Sequence, residues 1–233
     1  MNIKAELHIA LFSITALSCL FGQLRRDISP KSFTYPPDQT VTTITMPDLD
    51  VDALHAEDEN RPSWKPFRYG HKFTVDLSPS NSGSWRELSN GSRIWRLKIE
   101  STGAFALSLE FDRFHLPSHS TLHVYSPDKS EIYGAYTSKN NNPDNIFATP
   151  LVKGDAVIVE FFLPKTSEEF SLHLSEVIHD YLDIIDITQN PTRSCGMNVV
   201  CPEADNYQDQ VNAAAWLDMG AYICSGAMIN NTS

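Results

Sequence analysis

Three sets of side chains in this sequence have types and spacings suited to chemistry. Cys195, Cys201 and Cys224 fall within residues 194–233, whereas residues 24–193 contain no cysteine. In an oxidising compartment such thiols are expected as disulfides. Three is an odd number, so one thiol is unpaired or its partner lies elsewhere. Cys195 and Cys201 are close enough in sequence to be joined to each other. No His follows Cys195 at ligand spacing, so zinc is a poor competitor. His115, His119 and His123 form an H-x3-H-x3-H series that on a helix would make a metal-binding face. Pro117 and the alternating pattern around it deny the helix, and no metal site is expected. The third set is acidic. Asp48, Asp50, Asp52, Glu57, Asp58 and Glu59 form one run without a base, and Glu168, Glu169, Glu176, Asp180, Asp183 and Asp186 form another. Neither has the D-x-[DN]-x-[DN]-G loop with its late Glu, so solvated linker is expected rather than a calcium site.

Catalytic constellations are equally scarce. Residues 71–180 lack a G-x-S-x-G elbow, an H-E-x-x-H pair and a phosphate-cradling glycine loop. No catalytic residue and no cofactor-binding residue is assigned. Trp64, Trp85 and Trp95, with several Tyr, could stack on sugar rings in a non-enzymatic secreted binding or adhesion module. Core filling is the stronger expectation for them, because large aromatics dominate core burial. The net charge of −11 argues against nucleic acid or an anionic membrane surface as partner. That charge is carried by the flanks and tail: residues 61–166 hold 13 basic and 10 acidic side chains.

The elements that would position these groups follow from periodicity. Lys4 precedes an apolar run from Ile9 to Phe21, too short to span a bilayer but right for a secretory h-region. Residues 1–23 are expected to be a signal peptide, and the exported chain to be extracellular. Ala16-Leu17-Ser18 before Cys19 fits a lipidation signal poorly, so no lipid anchor is expected. Residues 24–66 are rich in Pro, Thr and acids, and prolines from Pro30 to Pro66 would interrupt any helix; an acidic leader or linker is expected. From His71 the pattern alternates. Lys72 to Leu77, Arg93 to Ser101, Ala104 to Phe111, Leu122 to Val124, Ile132 to Tyr136, Val157 to Leu163 and Phe170 to Leu174 all read as strands. Ile94, Leu97 and Ile99 are expected close together, with Trp95 breaking the alternation. Phe105, Leu107, Leu109 and Phe111 are expected on one face. Short strands bounded by Gly, Pro, Asn and Asp predict an all-β antiparallel sandwich over 67–180, followed by a linker at 181–193.

Ser194-Cys195, Asn198-Val199-Val200-Cys201-Pro202-Glu203 and Cys224-Ser225-Gly226-Ala227-Met228-Ile229-Asn230-Asn231-Thr232 together resemble the start of the mature domain of bacterial lysyl-endopeptidase-like, trypsin-like serine proteases. The segment Ile94 to Pro164 looks like the β module that precedes such domains. The resemblance implies a secreted serine endopeptidase precursor: a sandwich propeptide or accessory domain, then the first strands of a chymotrypsin-type barrel over 194–233. Its partners would be protein or peptide substrates and an intramolecular contact between prodomain and protease. The family's catalytic His, Asp and Ser would lie beyond Ser233, so this chain is expected to be inactive, and Ser225 belongs to the pre-histidine strand rather than acting as nucleophile. The family pairs cysteines at the positions of Cys195, Cys201 and Cys224 with downstream partners, which would account for the odd count. Arg193-Ser194, after the turn-prone Asn190-Pro191-Thr192, is the candidate processing junction. Alanine propensity favours helix over Gln210 to Trp216. The resemblance implies a strand there, paired with Ala221 to Met228 across a turn near Asp218-Met219-Gly220, and this second expectation is followed. An isolated hairpin is marginal in water, so it is expected to be poorly ordered alone.

Overall fold

A computed structural model of the chain describes residues 28–35, 41–166, 169–189 and 202–229. The signal-like segment with Cys19, the Arg193-Ser194 junction, Cys195 and Cys201 lie outside the described residues. Two β-sheets form a sandwich. The first holds β1 (Thr43–Thr45), β4 (Ser84–Glu87), β5 (Arg93–Glu100), β7 (Thr121–Tyr125), β8 (Ile132–Tyr136) and β11 (Ala156–Leu163). Its order is β1-β5-β11-β7-β8, with β4 also on β5. The second holds β3 (Gly70–Leu77), β6 (Ala106–His115), β9 (Phe147–Ala148), β10 (Val152–Lys153) and β12 (Ser171–Asp180), ordered β10-β6-β12-β3, with β9 also on β6. Within both sheets the pairings are antiparallel except β1 on β5. Among the described residues no helix is long and apolar enough to cross a membrane.

Alternation decides what the core contains, because successive strand side chains point to opposite faces. Trp95, Leu97 and Ile99 from β5 meet Val157, Val159 and Phe161 from β11, and Leu107, Leu109 and Phe111 close the layer from β6. Two sequence expectations shift by one residue. Trp95 keeps the alternation and Ile94 falls on the outer face. The Trp95 indole donates to the Ser82 carbonyl at 2.8 Å, which lets a polar-tipped ring fill the core. Phe105 lies before β6 begins and is 51% exposed, so it does not share the face of Leu107.

The leader is structured against the sandwich. Helix α1 (Lys31–Thr34) and the residues before it cover the outer face of the first sheet. There the Glu160 carboxylate, 1% exposed, accepts from the Ser32 backbone N–H and the Tyr125 hydroxyl, both at 3.1 Å. His123 donates from Nε2 to the Ile28 carbonyl at 2.7 Å. A buried carboxylate needs such donors, since an unpaired one would be strongly penalised. Prolines do not exclude a helix from the leader: α2 (Val51–Glu59) fits between Pro47 and Pro62. Asp50 caps it by accepting the Ala53 N–H at 2.9 Å, and Leu54 is its buried contact. The acidic run read as solvated linker is therefore largely a capped helix.

Turn geometry gives a test of the packing. Gly83 has φ +68°, and a Cβ there would lie 2.5 Å from Trp95 Nε1 and 2.7 Å from the Arg96 carbonyl oxygen. Gly103 has φ +80° but nothing within 4 Å of an added Cβ. Gly103→Ala should cost only the left-handed backbone penalty, about 1 kcal/mol, whereas Gly83→Ala adds a clash with the core and should cost about 2–4 kcal/mol. Urea unfolding of both variants measures the difference; equal losses would contradict this account of Gly83.

Candidate functional site

The end of β12 builds the floor of a junction. Both Asp180 carboxylate oxygens are used: one accepts the Leu182 N–H at 2.9 Å and the other the Ile184 N–H at 3.0 Å, which starts helix α3 (Ile184–Gln189). Ile178, Ile184 and Tyr69 are all buried, and with Ala221 they form a second apolar cluster apart from the main core. Burial pushes the Asp180 carboxyl up to about 6, against the backbone hydrogen bonds that favour its charge. Its neighbour His179 is buried with Nδ1 2.7 Å from the Ser101 hydroxyl and no partner for Nε2. Burial, with a smaller push from His71, lowers it to about 4.

A hairpin docks on this floor. Helix α4 (Gln208–Ala213) runs directly into β13 (Ala214–Asp218), which pairs antiparallel with β14 (Tyr222–Ala227). Alanine propensity thus wins as far as Ala213 and strand pairing takes over at Ala214. Strand β14 also pairs with β2 (Phe67–Arg68), matching Tyr222 with Arg68 and Ile223 with Phe67. The Ala221 carbonyl accepts the N–H groups of Tyr69 and Gly70 at 3.0 and 3.2 Å. The Tyr69 hydroxyl donates to Asp218 Oδ1 at 3.1 Å. Burial raises the Asp218 carboxyl, and burial beside Asp218 raises the Tyr69 phenol far above its ordinary value. The expectation of an unsupported hairpin is therefore corrected. Its inner edge has a third strand, which removes much of the cost of standing alone.

Two charged groups flank the contact. Lys72 Nζ lies 3.1 Å from Glu110 Oε2 and 2.5 Å from Glu176 Oε2, joining the three strands of the second sheet nearest the turn. Burial lifts the Glu110 carboxyl, while its hydrogen bond and the Lys72 ammonium hold Glu176 below the usual range. These residues, Phe147, Pro150, Asp218 and Met219 line a cavity of about 690 Å³. On the other side Arg68 donates from Nε to Asp58 at 2.8 Å, from Nη1 to Glu57 at 3.1 Å and from Nη2 to the Leu54 carbonyl at 3.0 Å. The Tyr181 hydroxyl donates to the other Asp58 oxygen at 2.5 Å. Burial opposes the Arg68 charge, but the bonds to Asp58 and Glu57 outweigh it and hold the guanidinium ionised. Arg68 therefore ties the leader helix to the strand that carries the hairpin. The alternating Lys72–Leu77 run is legible in the sequence, but nothing there marks Tyr69 and Arg68 as anchors. The Asp50-x-x-x-Leu54 cap pattern was the available signal for α2.

The residues singled out from sequence are spread apart. Cys224 is exposed with a free thiol on β14, and Ser225 beside it is exposed, with no hydrogen bond to a His among the described residues. His115 ends β6, His119 sits in a left-handed turn at φ +63°, and His123 is buried in β7. Among the described residues no three His, Cys, Asp or Glu converge on a metal-sized site. Trp95 is internal, Trp85 is half-buried with the Arg93 guanidinium 4.7 Å above its ring, and Trp64 is broadly exposed.

Residues 78–177 match the family model of the lysyl endopeptidase N-terminal domain. That span runs from the residue after β3 to Val177 within β12, and so covers most of the sandwich with Glu110 and Glu176. The chain is also similar to a lysyl endopeptidase of Pseudomonas aeruginosa (strain PAO1), 26% identical over 166 residues. The matched region is 63% of this chain and 36% of that relative's length. The chain is thus similar to the N-terminal part of a lysyl-endopeptidase-like protein. Among solved structures, a periplasmic inhibitor of g-type lysozyme, PliG of Aeromonas hydrophila, covers 60% of this chain and 95% of its own. It does so at 7% identity and a TM-score of 0.24, too distant to carry an argument.

The floor predicts a signed pH response. The unfolded chain protonates His179 near pH 6.5, whereas the folded chain resists until about 4, so this residue's contribution is lost as pH falls between those values. Asp180 acts oppositely. Its folded value of about 6 lies above the unfolded 3.8, so its contribution declines as pH rises across that range. Relative to the parent, His179→Gln should gain stability as pH is lowered from 6.5 to 4, and Asp180→Asn should lose it. Urea midpoints at several pH values test this; parallel profiles for His179→Gln and parent would contradict it.

Proposed function

We propose that this chain is the N-terminal region of an exported serine endopeptidase precursor. In this reading residues 1–23 direct export, residues 24–66 form a leader, and the sandwich of residues 67–180 is a propeptide or accessory domain. Residues 181–193 link it to the start of the protease domain, with processing at Arg193-Ser194. The observation that carries the proposal is the hairpin: Ala214–Asp218 pairs with Tyr222–Ala227 across a turn where the resemblance implies one, although its first strand starts four residues later than Gln210, and it follows a segment matching the lysyl endopeptidase N-terminal domain.

The exposed apolar surface supports it. Trp216, Leu217, Met228 and Ile229 on and after the hairpin, and Trp64 and Phe67 on the segment beside it, are all exposed. The sandwich buries its large apolar residues much more completely. Large apolar side chains left in water on and around a hairpin are expected of a barrel's first strands, since such patches mark surfaces meant to be covered. The complete precursor then cleaves protein substrates by Ser attack on a peptide carbonyl, with His as general base and Asp orienting the His. Those groups belong to sequence following the pre-histidine strand. Cys195, Cys201 and Cys224 pair with cysteines there.

On this reading the 233-residue chain leaves peptide reporters uncleaved, the natural precursor cleaves them, and the mature product begins at Ser194. Reporter assays with N-terminal sequencing of the secreted protein provide the check. Peptidase activity of the chain alone that a serine-directed inhibitor abolishes, or a mature start inside the sandwich, would refute it.

A further inference from the structure

The hairpin turn meets the sandwich through side chains that constrain each turn position differently. Asp218 Oδ1 accepts the Gly220 N–H at 3.0 Å within the turn and the Tyr69 hydroxyl at 3.1 Å from the sandwich. One oxygen thus serves the turn and the contact together. Gly220 has φ +76°, and a Cβ there would fall 2.3 Å from Glu110 Oε1 and 2.6 Å from Lys72 Cε. Those are tips of flexible side chains that can give way, but they are paired with each other and with Glu176, so moving them aside stretches those ion pairs. Ala221 is 2% exposed against Tyr69, Ile178 and Ile184, and its carbonyl takes the Tyr69 and Gly70 amides. A larger side chain has no room there.

We propose that the sandwich carries a recognition surface for an Asp-x-Gly-Ala hairpin turn. Tyr69 reads the carboxylate of Asp218, the Lys72–Glu110–Glu176 cluster favours glycine at 220, and the Tyr69–Ile178–Ile184 pocket favours a small residue at 221. Met219, half-exposed at the tip, is the position left unread. The surface therefore selects this one turn from the many that a β-barrel offers and fixes where the barrel's first hairpin sits. This deepens the reading of the chain as a protease precursor, on which its biological meaning rests, but its physical content lies within these residues.

Hydrogen exchange on the whole chain tests it, with β14 amides reporting the contact and β11 amides reporting the sandwich. Tyr69→Phe should speed exchange at Tyr222–Ala227 by about tenfold, the loss of one hydrogen bond to a carboxylate, and leave β11 unchanged. Gly220→Ala should speed it further. Part of that effect is the turn's own preference for positive φ, so the decisive comparison is a cycle with Glu110→Ala. If the sandwich reads the glycine, Gly220→Ala costs several-fold less in the Glu110→Ala background. Met219→Ala should have little effect. Equal costs of Gly220→Ala in both backgrounds, or unchanged β14 exchange in Tyr69→Phe, would overturn the proposal. If β11 accelerates equally in Tyr69→Phe, the hairpin has no separate docking equilibrium and the proposal also fails. These outcomes do not depend on whether the natural precursor is a peptidase, so the two readings fail separately.

Discussion

The structure depends on burying one face of each of two sheets against the other. Every second residue of β5 and β11 enters that layer from Trp95 and Val157 onward, β6 and β12 do the same with a change of parity between Phe111 and Phe114 and between Leu174 and Val177, and the rest follows from supplying partners for what lies on the other side. Burial of this kind is the dominant favourable term in folding, and it is indifferent to sequence distance. It brings Trp95, Leu109 and Phe161 into one layer, although they come from three separate strands.

The outer faces create the demands that shape the leader. Alternation puts Glu160 and His123 opposite the core side, in the middle of a sheet where water is excluded once anything covers them. Ser32 and Ile28 supply the donor and the acceptor they require. At the other end Arg68 needs carboxylates, and α2 brings Asp58 and Glu57. The acidic composition of the leader is therefore partly a set of partners for the sandwich. Surface ion pairs contribute little each, but Arg68 is mostly covered and makes three hydrogen bonds from one planar group, the geometry in which arginine is most effective.

The junction joins these features. Asp180 starts α3, Tyr69 and Gly70 hold the Ala221 carbonyl, and Arg68 holds the leader helix, all within a few residues of the ends of β3 and β12. The Asp180 and Asp218 carboxyls sit above their ordinary values chiefly because they are covered. A hairpin that would be marginal by itself gains a third strand and a polar anchor. Trp216 and Leu217 on its first strand remain exposed.

Strand identity was legible in the sequence because period two is local: β3, β5, β6, β7, β8, β11 and β12 all fall on runs that alternate or are continuously apolar. Over Gln210 to Trp216 local propensity holds as far as Ala213 and the family likeness from Ala214. What the sequence could not determine was parity at strand ends, as Phe105 and Ile94 show, because a strand's first residue depends on the partner it meets. Nor could it pair Tyr69 with Asp218, which are 149 residues apart. Composition and periodicity alone determined that this chain makes a β-sandwich with acidic flanks. Only the tertiary structure decided that the flanks serve it, and which turn it holds, because hydrogen bonds and cavities between distant segments exist only once the sheets have brought them together.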